Sequence, residues 1–106
     1  MESIPLKDFV VDKLDDLKAR DIVVLDVRGK SDVTDYMVVC TGTSKTHVKA
    51  IAEYLVLEAK KESCSLLGIE GTAVSEWVLV DLDQVVVHVM QEEAREFYAL
   101  EKLWAD

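Results

Sequence analysis

Asp81 and Asp83 stand one residue apart in the run Trp77-Val-Leu-Val-Asp-Leu-Asp. Two carboxylates converging on Mg²⁺ are what metal-dependent phosphoryl transfer requires. Aspartate is equally a turn residue, and this pair falls where two strand-like runs meet. No P-loop occurs, and no Gly-Ser run precedes an Asp-x-Asp strand. Thr41-Gly42-Thr43-Ser44 lies between a strand-like and a helix-like segment. Such a turn can hold a phosphate on exposed N–H groups, but a Ser or Thr there also caps an ordinary helix. Lys45 follows Ser44 instead of preceding it, so the segment is not a Walker motif. His88 and His47 have no second His or Cys at ligand spacing, so no metal is expected. Cys40 and Cys64 lack a CxxC spacing and read as reduced thiols. No catalytic set and no cofactor site emerges.

Trp77, His88 and Tyr98 carry a different chemistry, that of an interface. Side chains alternate across a strand. One face of the Trp77–Met90 stretch therefore holds Val78, Val80, Leu82, Val85, Val87 and Val89, as a packed core would. The other holds Trp77, Leu79, Asp81, Val86, His88 and Met90. Aromatic, imidazole and carboxylate together suit neither a core nor bare solvent, so this mixed face is expected to meet a partner. Trp and Tyr are enriched at interface hot spots. A turn at Leu82-Asp83 would pair Trp77 with His88; a turn at Asp83-Gln84 would pair Trp77 with Met90. Both registers preserve the face.

The elements that must position these residues follow from periodicity. Residues 5–20 read as an amphipathic helix through Leu6, Phe9, Val10, Leu14 and Leu17, with Pro5 in its first turn. Ile22 to Arg28 and Asp35 to Thr41 read as strands. A helix is expected from about 45 to 62 on the stripe Val48, Ile51, Ala52, Leu55 and Ala59. Ser65 to Ile69 can form a short strand and Gly71 to Ser75 a loop. Trp77–Leu82 and Val85–Met90 form a hairpin. Residues 91–104 read as one helix packing through Ala94, Phe97, Leu100 and Trp104, with Tyr98 flanking that stripe. The order α-β-β-α-β-β-β-α implies an α/β (α+β) domain over 1–106, a mixed, mostly five-stranded sheet packed with helices.

Charge narrows the partner. The 21 acids outnumber 12 Lys and Arg, for a net charge of −9. Proteins that grip nucleic-acid phosphates cluster their bases, and here the bases are scattered. A basic protein partner fits better, although acidity alone also keeps a domain soluble. No apolar run approaches the ~20 residues that span a bilayer. The first residues, MESIPLKDFVVDKL, lack a basic n-region and an apolar h-region. A soluble intracellular protein is expected.

The blocks TDYMVVCTGTSKTHVKAIA (34–52), Gly68-Ile69-Glu70-Gly71, WVLVDLDQVVVHVM (77–90) and REFYALEKLW (95–104) together resemble the ribosomal silencing factor family, RsfS or Iojap. The resemblance covers nearly the whole chain. One departure stands at the hairpin turn, where the family has Gly-Asp and this chain has Asp83-Gln84. The resemblance implies a nucleotidyltransferase-like fold without the catalytic motif. It also implies a bacterial cytoplasmic factor, not an enzyme, that docks on ribosomal protein L-fourteen of the large subunit and blocks subunit association when nutrients are short. Trp77, Tyr98, His88, Asp81 and Glu70 would then form the partner-binding surface, and a homodimer could form when the chain is free. The rival reading is a nucleotide-binding or residual nucleotidyltransferase domain, with Thr43 and Ser44 on phosphate and Asp81 and Asp83 on metal.

Overall fold

The computed structural model describes residues 1–104. Its elements are α1 (Ser3–Asp16), β1 (Arg20–Asp26), β2 (Tyr36–Gly42), α2 (Lys45–Lys61), β3 (Gly68–Glu70), β4 (Trp77–Asp81), β5 (Val85–Gln91), α3 (Glu92–Tyr98) and α4 (Leu100–Trp104). The strands form one sheet in the order β1-β2-β5-β4-β3. β2 and β5 run parallel and every other neighbouring pair antiparallel. The mixed five-stranded sheet of the sequence reading is therefore present.

The aliphatic stripe explains one side of the sheet. Val78, Val80, Leu82, Val85, Val87 and Val89 are all buried, packed with Val38 and Cys40 under α1 and α2. α1 contributes Leu6, Val10 and Leu14; α2 contributes Val48, Ile51, Ala52, Leu55 and Ala59. α2 starts where the Ser44 hydroxyl accepts from the His47 N–H at 3.0 Å, so Ser44 is a structural cap. His47 then binds two separate segments. Its Nδ1 accepts from the Thr43 N–H at 2.9 Å, and its Nε2 lies 2.8 Å from the Leu17 carbonyl. An acceptor at Nδ1 leaves the proton on Nε2, so the ring clasps the end of α1 to the turn before α2. Gly42 is required at that turn, because a Cβ there would lie 2.6 Å from the Val48 side chain.

The opposite side has a smaller core of Val27, Met37, Val39 and Met90. Leu25, Trp77, Ala94, Leu100 and Trp104 pack around it. Several boundaries differ from the periodicity reading, each for a local reason. α1 stops at Asp16, not residue 20, because Lys18 turns to positive φ and the Ala19 N–H closes onto the Leu14 carbonyl. β1 starts at Arg20, with a bulge before Val23 and Asp21 at φ 50. It ends at Asp26, whose carboxylate takes the Arg28 guanidinium at 2.7 Å and turns the chain away. β3 covers Gly68–Glu70, where its N–H and carbonyl groups find β4.

The expected single C-terminal helix is broken. Ala99 sits at φ 48, ψ 47, a left-handed conformation that separates α3 from α4. The break returns Leu100 and Trp104 to the sheet but leaves Phe97 81% exposed. Phe97 is thus not a packing residue of the stripe.

Candidate functional site

The β4–β5 hairpin decides which mixed-face residues meet. Leu82 donates to the Val85 carbonyl at 2.9 Å, so the turn is Asp83-Gln84 and Trp77 pairs with Met90. The alternative register, Trp77 opposite His88, is excluded. Asp83 takes φ 71, and its N–H donates to Asp81 Oδ1 at 2.9 Å. An Asx turn of this kind is what lets Asp stand where glycine would be easier. Tyr36 and Asp35 both donate to the Gln84 carbonyl, anchoring the turn to the start of β2.

Register places three rows on the mixed face, since residues paired across a ladder point to the same side. Glu70, Leu79, His88 and Val39 form one row. Trp77, Met90 and Thr41 form the next, and Asp81, Val86 and Met37 the third. The chain itself covers much of this face. Val86, His88 and Met90 are buried, whereas Trp77, Leu79 and Asp81 are half-buried and Glu70 is exposed. The open part is therefore the β4–β3 side, not the whole face.

Aromatic rings climb out of the sheet along that boundary. Trp77 Nε1–H donates to His88 Nδ1 at 2.9 Å, with ring centroids 5.8 Å apart. Tyr98 lies on Trp77 at 4.5 Å, and Phe97 meets Tyr98 edge-on at 5.1 Å. Exposure rises along this series, from 5% at His88 to 50% at Tyr98 and 81% at Phe97. Phe97 and Tyr98 also line a shallow hollow of about 310 Å³ with Glu76, Gln91, Glu93 and Ala94. The apolar rings thus stand beside carboxylates.

The local backbone fixes Trp77 at the start of its strand. Gly71 adopts φ +91, and a Cβ there would run into the Trp77 carbonyl oxygen. Ser75, at φ 59, donates its N–H to the Gly71 carbonyl at 2.8 Å and its hydroxyl to the Thr72 carbonyl at 2.7 Å. Gln91 donates to the Glu76 carbonyl at 2.9 Å. The bend that follows Tyr98 is held by Arg95, a residue that periodicity does not single out. Arg95 reaches across the Ala99 bend to Glu101, Nε to Oε1 at 2.8 Å and Nη2 to Oε2 at 3.3 Å. Its Nη1 donates to Thr41 Oγ1 at 2.8 Å. A bidentate pair of this geometry fixes direction as well as distance. Lys30 closes the far end, donating to the Trp104 carbonyl at 3.1 Å.

Burial acts on two titratable groups nearby. It lowers His88 from 6.5 to about 4 and raises the Cys40 thiol from 9.0 to about 12. His88 is therefore neutral near pH 7, and Cys40 is an inert packed thiol.

The residues of the nucleotide reading do not converge. Thr43 follows Gly42, which is in register with Gln91; Asp81 is opposite Val86. Five residues of strand, roughly 17 Å, separate those ends of the sheet. The Ser44 hydroxyl accepts for its helix cap, and Asp81 uses Oδ1 in its turn. Among the described residues, no three His, Cys, Asp or Glu side chains are grouped to hold a metal ion.

Known proteins resemble the chain in sequence and in fold. The sequence family described as RsfS, ribosomal silencing factor during starvation, matches residues 1–106. A ribosomal silencing factor RsfS of Haemophilus influenzae is 52% identical over 100 residues, 94% of this chain and 98% of that one. A mouse protein, mitochondrial assembly of ribosomal large subunit protein 1, is 41% identical over 100 residues, 92% of this chain and 44% of its own length. A crystal structure of a Chromobacterium violaceum protein, 38% identical, matches with a TM-score of 0.96 over 98% of this chain and 87% of that one.

Proposed function

The chain belongs to the ribosomal silencing factor family, and from that premise we propose that it binds the large ribosomal subunit and represses translation. It docks through ribosomal protein L-fourteen at the face where the small subunit joins. Occupying that face blocks subunit association and lowers translation under nutrient limitation. The role is regulatory, not enzymatic, and is exercised in the cytoplasm by residues 1–106 acting as one domain. Among the described residues, no helix is long and apolar enough to cross a membrane.

The observation that carries this reading is the half-exposed stack of Trp77 and Tyr98 beside carboxylates. Trp77 and Tyr98 supply the buried area, with Phe97 extending it. Glu70 and Asp81 pair with Lys or Arg of the partner. His88 contributes from beneath, through Trp77. The hairpin and α3 offer a surface on the scale of a standard interface, roughly 800 Å² from each side. A free chain is also proposed to pair with its own copy through this face, in competition with the ribosome.

Sucrose-gradient sedimentation of purified subunits at low salt tests the reading. Co-migration with the large subunit, together with a reduced 70S peak, is the expected result. A chain that stays at the top of the gradient while 70S is unchanged defeats it. Sedimentation equilibrium of the free protein tests the dimer, and a single monomeric species at all concentrations removes it.

A further inference from the structure

One buried polar group on the mixed face has no place in an ordinary sheet interior. Val85, Val86, Val87, Val89 and Met90 make β5 otherwise apolar up to its last residue, Gln91. Among them His88 is only 5% exposed, in register with Leu79 on β4 and Val39 on β2. An indole N–H is a donor and never an acceptor, so the 2.9 Å bond from Trp77 requires a bare lone pair on Nδ1. The imidazole proton is then on Nε2. That atom is buried with no protein partner among the described residues. An aliphatic side chain would avoid this orphaned donor and its cost in stability.

What the imidazole supplies is a fixed acceptor for a ring that would otherwise be loosely held. Trp77 opens its strand directly after a loop, and it is half-buried. Tyr98 packs against it at a tilt of 48°. Packing alone restrains the plane of an indole but not which edge points inward. The bond to His88 turns the N–H edge into the sheet.

We propose that His88 is a positioning residue, whose Nδ1 locks the Trp77 indole in the orientation that presents it, with Tyr98, to the ribosomal partner. The inference rests on the docking reading above, and its test separates the two.

Three variants of the full chain are measured for thermal stability and for binding to purified large subunits: His88→Leu, His88→Asn and Trp77→Ala. His88→Leu removes the acceptor and the orphaned donor together. It melts at or above the wild-type temperature yet binds about fivefold more weakly, the scale of one lost hydrogen bond. His88→Asn places Oδ1 where Nδ1 stood. It binds within about twofold of wild type while melting lower, because its amide donors are buried. This opposite ordering in stability and binding is the signature of positioning. If binding falls in both His88 variants in step with stability, His88 is structural and the proposal is overturned. If His88→Leu binds like wild type while Trp77→Ala is weakened, positioning fails and docking stands. If Trp77→Ala binds like wild type, docking through Trp77 fails and positioning with it. The tautomer is read in the wild-type protein by ¹⁵N NMR, independently of whether any variant folds. A proton on Nε2 and a slowly exchanging Trp77 indole N–H are expected; a proton on Nδ1 overturns the proposal.

Discussion

The two faces of the sheet solve the same problem differently. Under α1 and α2, buried aliphatic side chains from β2, β4 and β5, joined by Tyr36 and Cys40, meet two helices of 14 and 17 residues. Under α3 and α4, helices of 7 and 5 residues cover only part of the sheet. There the chain uses directional bonds: Arg95 to Glu101 and Thr41, Lys30 to Trp104, Trp77 to His88. Non-directional burial stabilises the first face. Geometry specifies the second, and its uncovered remainder is the docking surface proposed above.

The largest break in that comparison comes from the helix-covered face. Leu55→Ala, fully buried in α2, is expected to cost about 2–5 kcal/mol in urea unfolding. Ribosome binding per folded molecule should not change. Loss of binding in the still-folded protein would show that the two faces are coupled.

Acid discriminates the faces next. His88 binds its proton less readily when folded, so between pH 6.5 and about 4 the unfolded chain carries more protons. Stability is therefore full above pH 6.5 and declines as pH falls toward 4, by roughly 3 kcal/mol. Asp26, lowered from 3.8 to about 2 by Arg28, acts the same way in a lower window, between pH 3.8 and 2. In His88→Leu the upper decline should vanish and the lower one remain. A persisting decline above pH 4 would assign it to other groups.

Trp77→Ala should weaken large-subunit binding by about 2 kcal/mol if the indole is a hot spot. Circular dichroism checks the fold, and unchanged affinity removes Trp77 from the site. Arg95→Met should cost about 1–2 kcal/mol, because Glu101 and Thr41 lose their partner in a half-covered setting. Trp104 fluorescence should shift red as α4 loosens; a fixed spectrum would make the Arg95 pair incidental. Smallest, Asp83→Gly should stabilise by about 0.5 kcal/mol by relieving the positive φ. Destabilisation would mean that the extra freedom of glycine in the unfolded chain outweighs that relief.

The same contrast governs what could be read in advance. The stripe Val48, Ile51, Ala52, Leu55 and Ala59 announces α2 to within a residue, and Ser44 announces its cap, because period and capping are local. The valines of β4 and β5 likewise announce their buried face. On the other side, alternation tells which way His88 points but not what covers it. The stripe Ala94, Phe97, Leu100 and Trp104 is compatible with one straight helix. Only the bridge from Arg95 to Glu101 and the return of Leu100 to the sheet select a bend at Ala99. Alanine gives no local sign of a left-handed residue, so periodicity alone places Phe97 on the packing stripe. The hairpin register depended on Asp83, which tolerates the turn without signalling it as glycine would. Tyr98 beside Phe97 is a local hint of an exposed ring, since neighbours on a helix cannot share one direction.

The parallel pairing of β2 with β5 has a consequence for the order in which the molecule forms. Tyr36 must find Val85, about 50 residues later, before the centre of the sheet exists. During synthesis, α1, β1 and β2 leave the exit tunnel with one flank of β2 unpaired, and α2, β3 and β4 must follow before β5 can fill it. Closing that long loop is entropically expensive, so folding should be slow relative to a helical bundle of equal size. The rings of Trp77 and Tyr98 come together only after β5 has inserted. A nascent chain therefore has no assembled Trp77–Tyr98 stack, and the docking surface proposed above exists only once the sheet is complete.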